Sequence, residues 1–162
     1  MTENLTMKPQ LVVGIDGSRE ALGALDEGLR LAGALGYDVR VICAWHWPTS
    51  AGIIAAAPLS WDPSEDAYAI MANTMQTIEI PEGVEVFADV LNGDAADLLI
   101  EASRGAKMIV TGSTGAGMAR ALFLGSVSTK VAQRAHCPVL VWRPLTGMVE
   151  TDAAAAEPAM AR

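Results

Sequence analysis

The sequence contains few of the residues on which disulfide scaffolds and metal centres depend. It has two cysteines, Cys43 and Cys137, and two histidines, His46 and His136, in 162 residues. Each cysteine lies beside a predicted strand, where the role of a small buried apolar residue is favoured. The composition therefore indicates neither a disulfide framework nor a zinc site.

Basic residues are also scarce, because 11 Lys and Arg stand against 19 Asp and Glu and the formal net charge is −8. Such a surface repels phosphate backbones and anionic lipids, so we predict binding to neither nucleic acid nor membranes. No run reaches the roughly 18 apolar residues that a membrane helix needs. The first residues lack the basic start and apolar centre of a secretory signal, so a cytoplasmic location is expected.

Apolar and amphipathic segments alternate along a chain whose length suits a single domain. Five strands joined by helical crossovers predict an α/β fold, a single doubly wound, mainly parallel sheet with helices on both faces. We expect a flexible N-terminus over 1–8, a folded domain over 9–145, and a disordered tail over 146–162, where acids, Ala and Pro form no core face. The predicted strands are 11–15, 39–45, 84–91, 108–111 and 139–142.

Helix boundaries are marked by capping residues. Ser18 is predicted to begin a helix over about 19–35, and Gly36 to end it. Asp62 and Asp94 are predicted N-caps of the second and third helices, the third over about 95–103. In doubly wound sheets, ligands bind outside the carboxyl ends of the strands, where the strand order reverses. Asp16 and Gly112, each ending a predicted strand, are therefore candidate site residues.

The most informative feature is a glycine-rich stretch that follows a predicted strand and precedes the last predicted helix. Gly112, Gly115 and Gly125-Ser126 have the spacing G-x-x-G-x9-G-S. Glycines allow the backbone to approach an anion closely, and free N–H groups at a helix start point towards it. A P-loop would need a Lys directly before Ser126, where Gly125 stands, and the dinucleotide fingerprint is missing from the first strand–helix turn at 14–18.

This motif resembles that of the universal stress protein family, to which the chain is similar over residues 9–144. The opening strand ending in Gly14-Ile15-Asp16-Gly17-Ser18 and the closing Pro138–Trp142 segment add to the resemblance. It implies the strand order 3-2-1-4-5, and the full motif implies binding of ATP, with Mg²⁺. It also implies an ATP site made of Gly14, Asp16, Ala44, Thr111, Gly112, Thr114, Gly115, Gly125, Ser126, Val127 and Ser128.

Individual roles follow from the same resemblance. Asp16 would hydrogen-bond the nucleoside or its water shell, Ala44 would line the adenine pocket, and Thr111 with Gly112 would approach the ribose. The remaining loop and helix residues would surround the phosphates. Without the resemblance, Asp16 could equally complete a turn or a helix start, and Ser126 and Ser128 could be helix caps.

The implied function is ATP-dependent regulation in a stress response, with nucleotide sensing and no dedicated catalysis. A nucleotide-independent dimeric scaffold and a slow ATP-hydrolysing enzyme of a related α/β fold remain alternatives. Hydrolysis would be slow because phosphoryl transfer needs more carboxylates and cations than this loop offers.

The last strand, Val139–Trp142, would lie at a sheet edge with no charge or Pro inside it, which predicts a homodimer through this strand. We also expect Gly115 to need a positive φ.

Overall fold

Five strands alternate with four helices in the part of the chain that the computed structural model describes, residues 8–48, 61–115 and 124–144. The strands are β1 Gln10–Ile15, β2 Asp38–Trp45, β3 Val86–Asn92, β4 Met108–Gly112 and β5 Val139–Trp142. The helices are α1 Arg19–Leu35, α2 Pro63–Thr77, α3 Ala95–Ala102 and α4 Ser126–Arg134.

The strands form one sheet in the order β3-β2-β1-β4-β5, and every neighbouring pair is parallel. The predicted doubly wound fold and its strand order are therefore confirmed. The chain moves outwards from β1 to β3 on one side and then returns to place β4 on the other side of β1. The carboxyl ends of β1 and β4 thus flank the point where the strand order reverses.

Each face of the sheet is covered by a separate hydrophobic cluster. One includes Val13 and Val110 with Leu25 of α1, and the other includes Ile109 with Leu99 of α3. Side chains alternate between the two faces along a strand, so successive residues of β4 contribute to opposite clusters. A residue two positions after Ile109 therefore shares the face that α3 and α4 cover.

The predicted helix caps are present. The Ser18 hydroxyl accepts a hydrogen bond from Ala21 N at 3.1 Å, and Asp94 accepts one from Asp97 N at 3.0 Å. Asp62 accepts from Ser64 N at 2.8 Å. Gly36 ends α1 with a φ of 70°, a left-handed conformation that glycine adopts without a steric penalty.

β3 begins two residues later than predicted. The buried Asp38 carboxylate accepts a hydrogen bond from Glu85 N at 3.0 Å, and Val39 N donates to Glu85 O at 2.9 Å. These contacts hold residue 85 before regular pairing begins at Val86, while Val84 packs into the core as part of the connection. The prediction missed this because the apolar pattern continues through the connection.

Two further expectations concern membranes and the chain ends. No helix in the described ranges is long and apolar enough to cross a membrane. The predicted tail over 146–162 and residues 1–7 of the predicted flexible N-terminus lie outside the described residues.

Candidate functional site

A cavity of about 310 Å³ opens at the carboxyl ends of β1, β2 and β4, where the strand order reverses. Its volume falls within the range of small-molecule sites. The structure brings together every residue of the predicted site, because all of them line this cavity: Gly14, Asp16, Ala44, Thr111, Gly112, Thr114, Gly115, Gly125, Ser126, Val127 and Ser128.

The cavity lining divides into an apolar part and a polar part. Ile42 and Ala44 of β2 and Ala95 and Leu99 of α3 form the apolar part. The segment between β4 and α4, here called the glycine loop, contributes Thr114, Gly115 and Gly125, which form the polar part on the β4 side together with the first turn of α4. The lining is therefore suited to a ligand with a flat apolar group at one end and a polar or anionic group at the other.

The first turn of α4 presents main-chain donors to the polar part. Gly125 is the N-cap and no side chain caps the helix, whose first turn closes with Thr129 N donating to Gly125 O at 2.9 Å. The N–H groups of residues 126–128 precede this bond and have no partner within the helix. Together with the positive end of the helix dipole, they can bind an anion.

Ser128 holds the two ends of the glycine loop together. Its hydroxyl is 3.1 Å from both Ser113 O and Gly125 O, and Gly125 N donates to Ser113 O at 2.7 Å. The alternative that Ser126 or Ser128 caps the helix is therefore wrong, since the cap is Gly125 and no side chain bonds to the first-turn amides. The buried Ser128 hydroxyl instead donates to main-chain carbonyls at the base of the loop.

Asp16 lies in the connection from β1 to α1, and its two carboxylate oxygens are close to different residues, Ser18 and Gly115. Its Oδ1 accepts from Ser18 N at 3.0 Å, as the turn interpretation predicted. Its Oδ2 lies 2.7 Å from the position that a Cβ on Gly115 would occupy. The carboxylate therefore stabilises the start of α1 and also lies against the glycine loop.

The expectation of a positive φ at Gly115 is wrong. The described glycines with positive φ are Gly17, Gly36, Gly83 and Gly93. At Gly115 a side chain is disfavoured by the adjacent Asp16 carboxylate, so the requirement is for space and not for a left-handed backbone.

Salt bridges connect the two helices that enclose the cavity. Lys130 Nζ of α4 lies 3.1 Å from Asp94 Oδ1 and 2.9 Å from Asp97 Oδ1, at the start of α3. The hydrogen bond from Asp97 N, followed by the Lys130 contact, lowers the pKa of Asp94. The Lys130 ammonium is thus partly exposed and pairs with carboxylates across the two helices.

Neither Cys43 nor the aromatic residues after β2 contribute a reactive group to the cavity. Burial, with a smaller contribution from the Asp16 carboxylate, raises the pKa of the Cys43 thiol to about 11, which keeps it protonated at neutral pH. Trp47 is 55% exposed and makes an edge-to-face contact with Trp61, the ring centroids being 6.2 Å apart. The Trp47 ring thus takes part in aromatic packing.

The described lining contains one carboxylate, that of Asp16, and no cationic side chain. Within the described ranges, no group of three or more His, Cys, Asp or Glu residues is arranged to hold a metal ion. A divalent cation would therefore need oxygen ligands from a bound phosphate group and water, which is the usual arrangement for Mg²⁺.

Sequence reasoning missed five residues of the lining, all of them apolar. Strand alternation could have identified Ile42, which lies two positions before Ala44 and thus on the same face. No sequence signal marks the lining residues that helices contribute, because a helix face lines a cavity only through tertiary packing. The missed residues are Ile15, Ala21, Ile42, Ala95 and Leu99.

Gly112 has a structural role that its place in the motif did not reveal. A Cβ at this position would lie 2.9 Å from Glu20 C and 3.0 Å from Glu20 O in the main chain of α1. We expect Gly112→Ala to lower the free energy of unfolding by about 1–3 kcal/mol, the usual cost of overpacking, because α1 must move away from β4.

Urea unfolding of the ligand-free protein measures this effect. The matched control is Gly105→Ala, since nothing lies within 4 Å of a Cβ there and the φ of Gly105 is not positive. This control should be neutral or slightly stabilising. Equal stability of the two variants would show that α1 does not restrict position 112.

Fold and site together define a doubly wound α/β protein with a ligand cavity at the switch point of its sheet. The model of the universal stress protein family matches residues 7–143. The chain therefore belongs to the universal stress protein family, and the resemblance drawn from the glycine motif is confirmed at the level of the family.

A mycobacterial protein is similar in sequence to this chain. The universal stress protein Rv2624c of Mycobacterium tuberculosis is 33% identical over 156 residues, covering 91% of this chain and 52% of the relative. The chain thus spans about half the length of this mycobacterial relative.

Solved structures support the fold. A universal stress protein in complex with cAMP has a TM-score of 0.64 at 23% identity, over 85% of this chain and 99% of the other. The universal stress protein from Archaeoglobus fulgidus in complex with dAMP has a TM-score of 0.54 at 19% identity, over 84% and 98%.

Proposed function

We propose that this universal stress protein binds adenine nucleotides, ATP with Mg²⁺ in particular, and that it acts as a nucleotide-sensing regulator in a stress response. The observation that carries the proposal is that one cavity, at the point where the strand order reverses, contains both an apolar part and helix N–H groups that no side chain caps. A purine fits the apolar part, and phosphates fit the loop and the first turn of α4.

The ligands of two structural neighbours support an adenine nucleotide as the class of ligand. One neighbour was solved with cAMP and another with dAMP, both adenine nucleotides. In this chain, the base would lie between the apolar residues of β2 and α3. The phosphates would receive hydrogen bonds from the amides of residues 126–128 and from the hydroxyls of Thr114 and Ser126.

Mg²⁺ complements the charge of this site. An ATP molecule carries several negative charges, while the described lining offers only one charged group, the Asp16 carboxylate. A bound cation would reduce repulsion between that carboxylate and the phosphates. Asp16 lies beside Gly115 and is therefore placed to accept hydrogen bonds from the water shell of a phosphate-bound Mg²⁺.

Sensing is favoured over dedicated catalysis because the described lining is poor in catalytic groups. Phosphoryl transfer uses a positioned base or water-orienting group together with cationic groups that stabilise the developing charge. Asp16 is the single ionisable side chain among the described lining residues. Any hydrolysis at this site is therefore expected to be slow.

ATP binding is tested by calorimetry and thermal unfolding of purified, nucleotide-free protein. Saturation with ATP and Mg²⁺ at roughly 100 times the dissociation constant should add about 2.7 kcal/mol to the free energy of unfolding. ADP, AMP and cAMP, each with and without Mg²⁺, define the preference. An unchanged melting temperature in millimolar ATP and Mg²⁺ would contradict the proposal and favour the nucleotide-independent scaffold.

The proposal also includes a homodimer formed through the edge of β5. In the described sheet, β5 pairs with β4 alone, and its four residues are only partly buried. The opposite edge, β3, carries Asp89 within the strand, where it bonds Arg40 Nε at 2.6 Å. Charge inside a strand discourages edge pairing, so β5 is the edge better suited to antiparallel pairing with a second copy.

A further inference from the structure

Lys130 carries a positive charge close to a cavity whose described lining contains no cationic side chain. Its Nζ lies 2.9 Å from Asp97 Oδ1 and 3.1 Å from Asp94 Oδ1, at the start of α3. Ala95, the residue that follows Asp94, lines the cavity. The ammonium therefore lies at the edge of the cavity, where α3 and α4 approach each other.

The side chain of Lys130 extends towards the proposed phosphate donors of α4. Lys130 follows Ser126 by four residues, so the two lie on one face of α4, about 6 Å apart along its axis. Helical side chains tilt towards the helix N-terminus, and the contact of Lys130 with Asp94, the N-cap of α3, agrees with this direction because both helices begin at the cavity. The four-carbon stem of a lysine spans about one helical turn. The ammonium can therefore reach a phosphate bound at Ser126 by changing its rotamer, without movement of α4.

The ion pairs that hold the ammonium are exposed to solvent. The side chain of Lys130 is 36% exposed, and those of Asp94 and Asp97 are 57% and 59% exposed. Water and salt screen such pairs, so they add little to stability. Asp94 Oδ1 also accepts a hydrogen bond from Asp97 N at 3.0 Å, and water can replace the ammonium at both carboxylates. The cost of moving the ammonium away is therefore low.

A bound triphosphate competes for this ammonium. Hydrogen bonds to Asp97 and Asp94 raise the pKa of Lys130, so the side chain is charged at neutral pH. Coulombic attraction grows with the charge of the partner, and a triphosphate carries more negative charge than a carboxylate or a monophosphate. The amides of residues 126–128 would hold the phosphates about one helical turn from Lys130.

We propose that Lys130 makes the site selective for nucleoside triphosphates: when ATP binds, the ammonium leaves Asp94 and Asp97 and pairs with the terminal phosphates. The inference rests on the proposed function and goes beyond it in naming the side chain that distinguishes ATP from AMP. Because this exchange breaks the ion pairs of Lys130 with the start of α3, the surface of the protein differs between the ATP-bound and the AMP-bound state.

The experiment measures the affinities of ATP and AMP by calorimetry, at one Mg²⁺ concentration and low ionic strength, for the unmodified protein and Lys130→Met. Methionine keeps an unbranched side chain without the charge. The variant should show an ATP-to-AMP affinity ratio about three- to tenfold lower, the effect of one charge-assisted contact at a partly exposed site. The difference should shrink as salt is added. Loss of a contact that only holds the helices together would weaken both nucleotides equally and leave the ratio unchanged.

Asp97→Asn separates partner exchange from a helix-holding role by the sign of its effect. If the ammonium leaves Asp97 to meet the phosphates, removing this competing carboxylate should raise the ATP-to-AMP ratio about two- to threefold. The gain should disappear when Asp97→Asn is combined with Lys130→Met, which distinguishes it from a general reduction of negative charge near the cavity. If the ion pair only positions α3 and α4, Asp97→Asn should instead lower the affinity for ATP, as Lys130→Met does.

Two controls lie on the same helix. Lys130→Arg keeps the positive charge and should retain most of the preference for ATP. Arg134→Met removes another cation that lies near Asp97, with Nη1 3.9 Å from Asp97 Oδ1, but one turn further from the start of α4. This variant should leave the ATP-to-AMP ratio unchanged.

Each contrary result has a distinct meaning. If the unmodified protein binds ATP and AMP equally, or if Lys130→Met keeps the ratio of the unmodified protein, the assignment to Lys130 is wrong while nucleotide binding stands. A lower ATP affinity of Asp97→Asn, or an equal fall of the ratio in Arg134→Met, also overturns the assignment, since the first indicates a helix-holding role and the second a general effect of positive charge. If the unmodified protein binds neither nucleotide, the proposed function itself fails and the assignment fails with it.

Discussion

Gly115→Val is expected to remove nearly all of the stabilisation that ATP confers while leaving the free protein folded. The added Cβ would lie 2.7 Å from Asp16 Oδ2, in the part of the cavity wall that we propose contacts the phosphates. Valine would thus displace the carboxylate and fill the space that close phosphate approach requires. If affinity falls a hundredfold, the stabilisation should fall from about 2.7 kcal/mol to roughly 0.4 kcal/mol at the same ATP concentration.

Thermal unfolding with and without ATP and Mg²⁺ measures this loss, and Gly105→Val is the matched control. A Cβ at Gly105 meets nothing within 4 Å, and this glycine does not line the cavity. The control should therefore respond to ATP as the unmodified protein does. Unchanged ATP binding by Gly115→Val would show that the glycine loop is not the phosphate site.

Val141→Lys is expected to convert the proposed homodimer to a monomer. Val141 lies inside β5, at the end of the sheet where β4 is the single described neighbour. Two copies that pair β5 antiparallel about a two-fold axis would bring the two lysines close together, and like charges facing each other across a strand pair are destabilising. Light scattering at tens of micromolar protein should then report half the mass of the unmodified protein.

Two variants test whether the effect belongs to this edge and to charge. Val141→Thr keeps a β-branched residue without charge and should stay dimeric. Ala88→Lys places the same charge on an exposed position of β3, at the opposite edge, and should also stay dimeric. A monomeric unmodified protein would refute the dimer, and a dimeric Val141→Lys variant would locate the interface elsewhere.

The predicted elements agreed with the structure where local interactions decide them. Helix α1 begins after Ser18 and ends at Gly36 because a hydroxyl cap and a left-handed glycine act within one turn of the chain. The start of β3 was predicted two residues early, because what delays it is the carboxylate of Asp38, 47 residues away. Long-range contacts of this kind leave no local pattern.

Asp16 and Gly112 could be named in advance because strand ends are features of local sequence, and the family resemblance indicated by the glycine spacing supplied the other site residues. Their physical roles could not all be assigned in this way. Gly115 was expected to need an unusual backbone conformation, yet its neighbour Asp16 restricts it by occupying space. One expectation was that Ser128 caps a helix, and its hydroxyl instead bonds Ser113 O across the base of the loop, while its amide remains a proposed phosphate donor.

By itself the sequence determined the alternation of strands and helices, the helix ends, and a glycine-rich turn before α4, since these depend on residues that are close in the chain. Tertiary structure alone decided that β1, β2 and β4 lie side by side, so that Gly14, Ala44 and Thr111 form one cavity floor. It also decided that the Thr111 hydroxyl is buried without a described partner. The reason is physical: burial, close approach and unpaired polar atoms are properties of packed neighbours, and the neighbours of these residues come from distant parts of the chain.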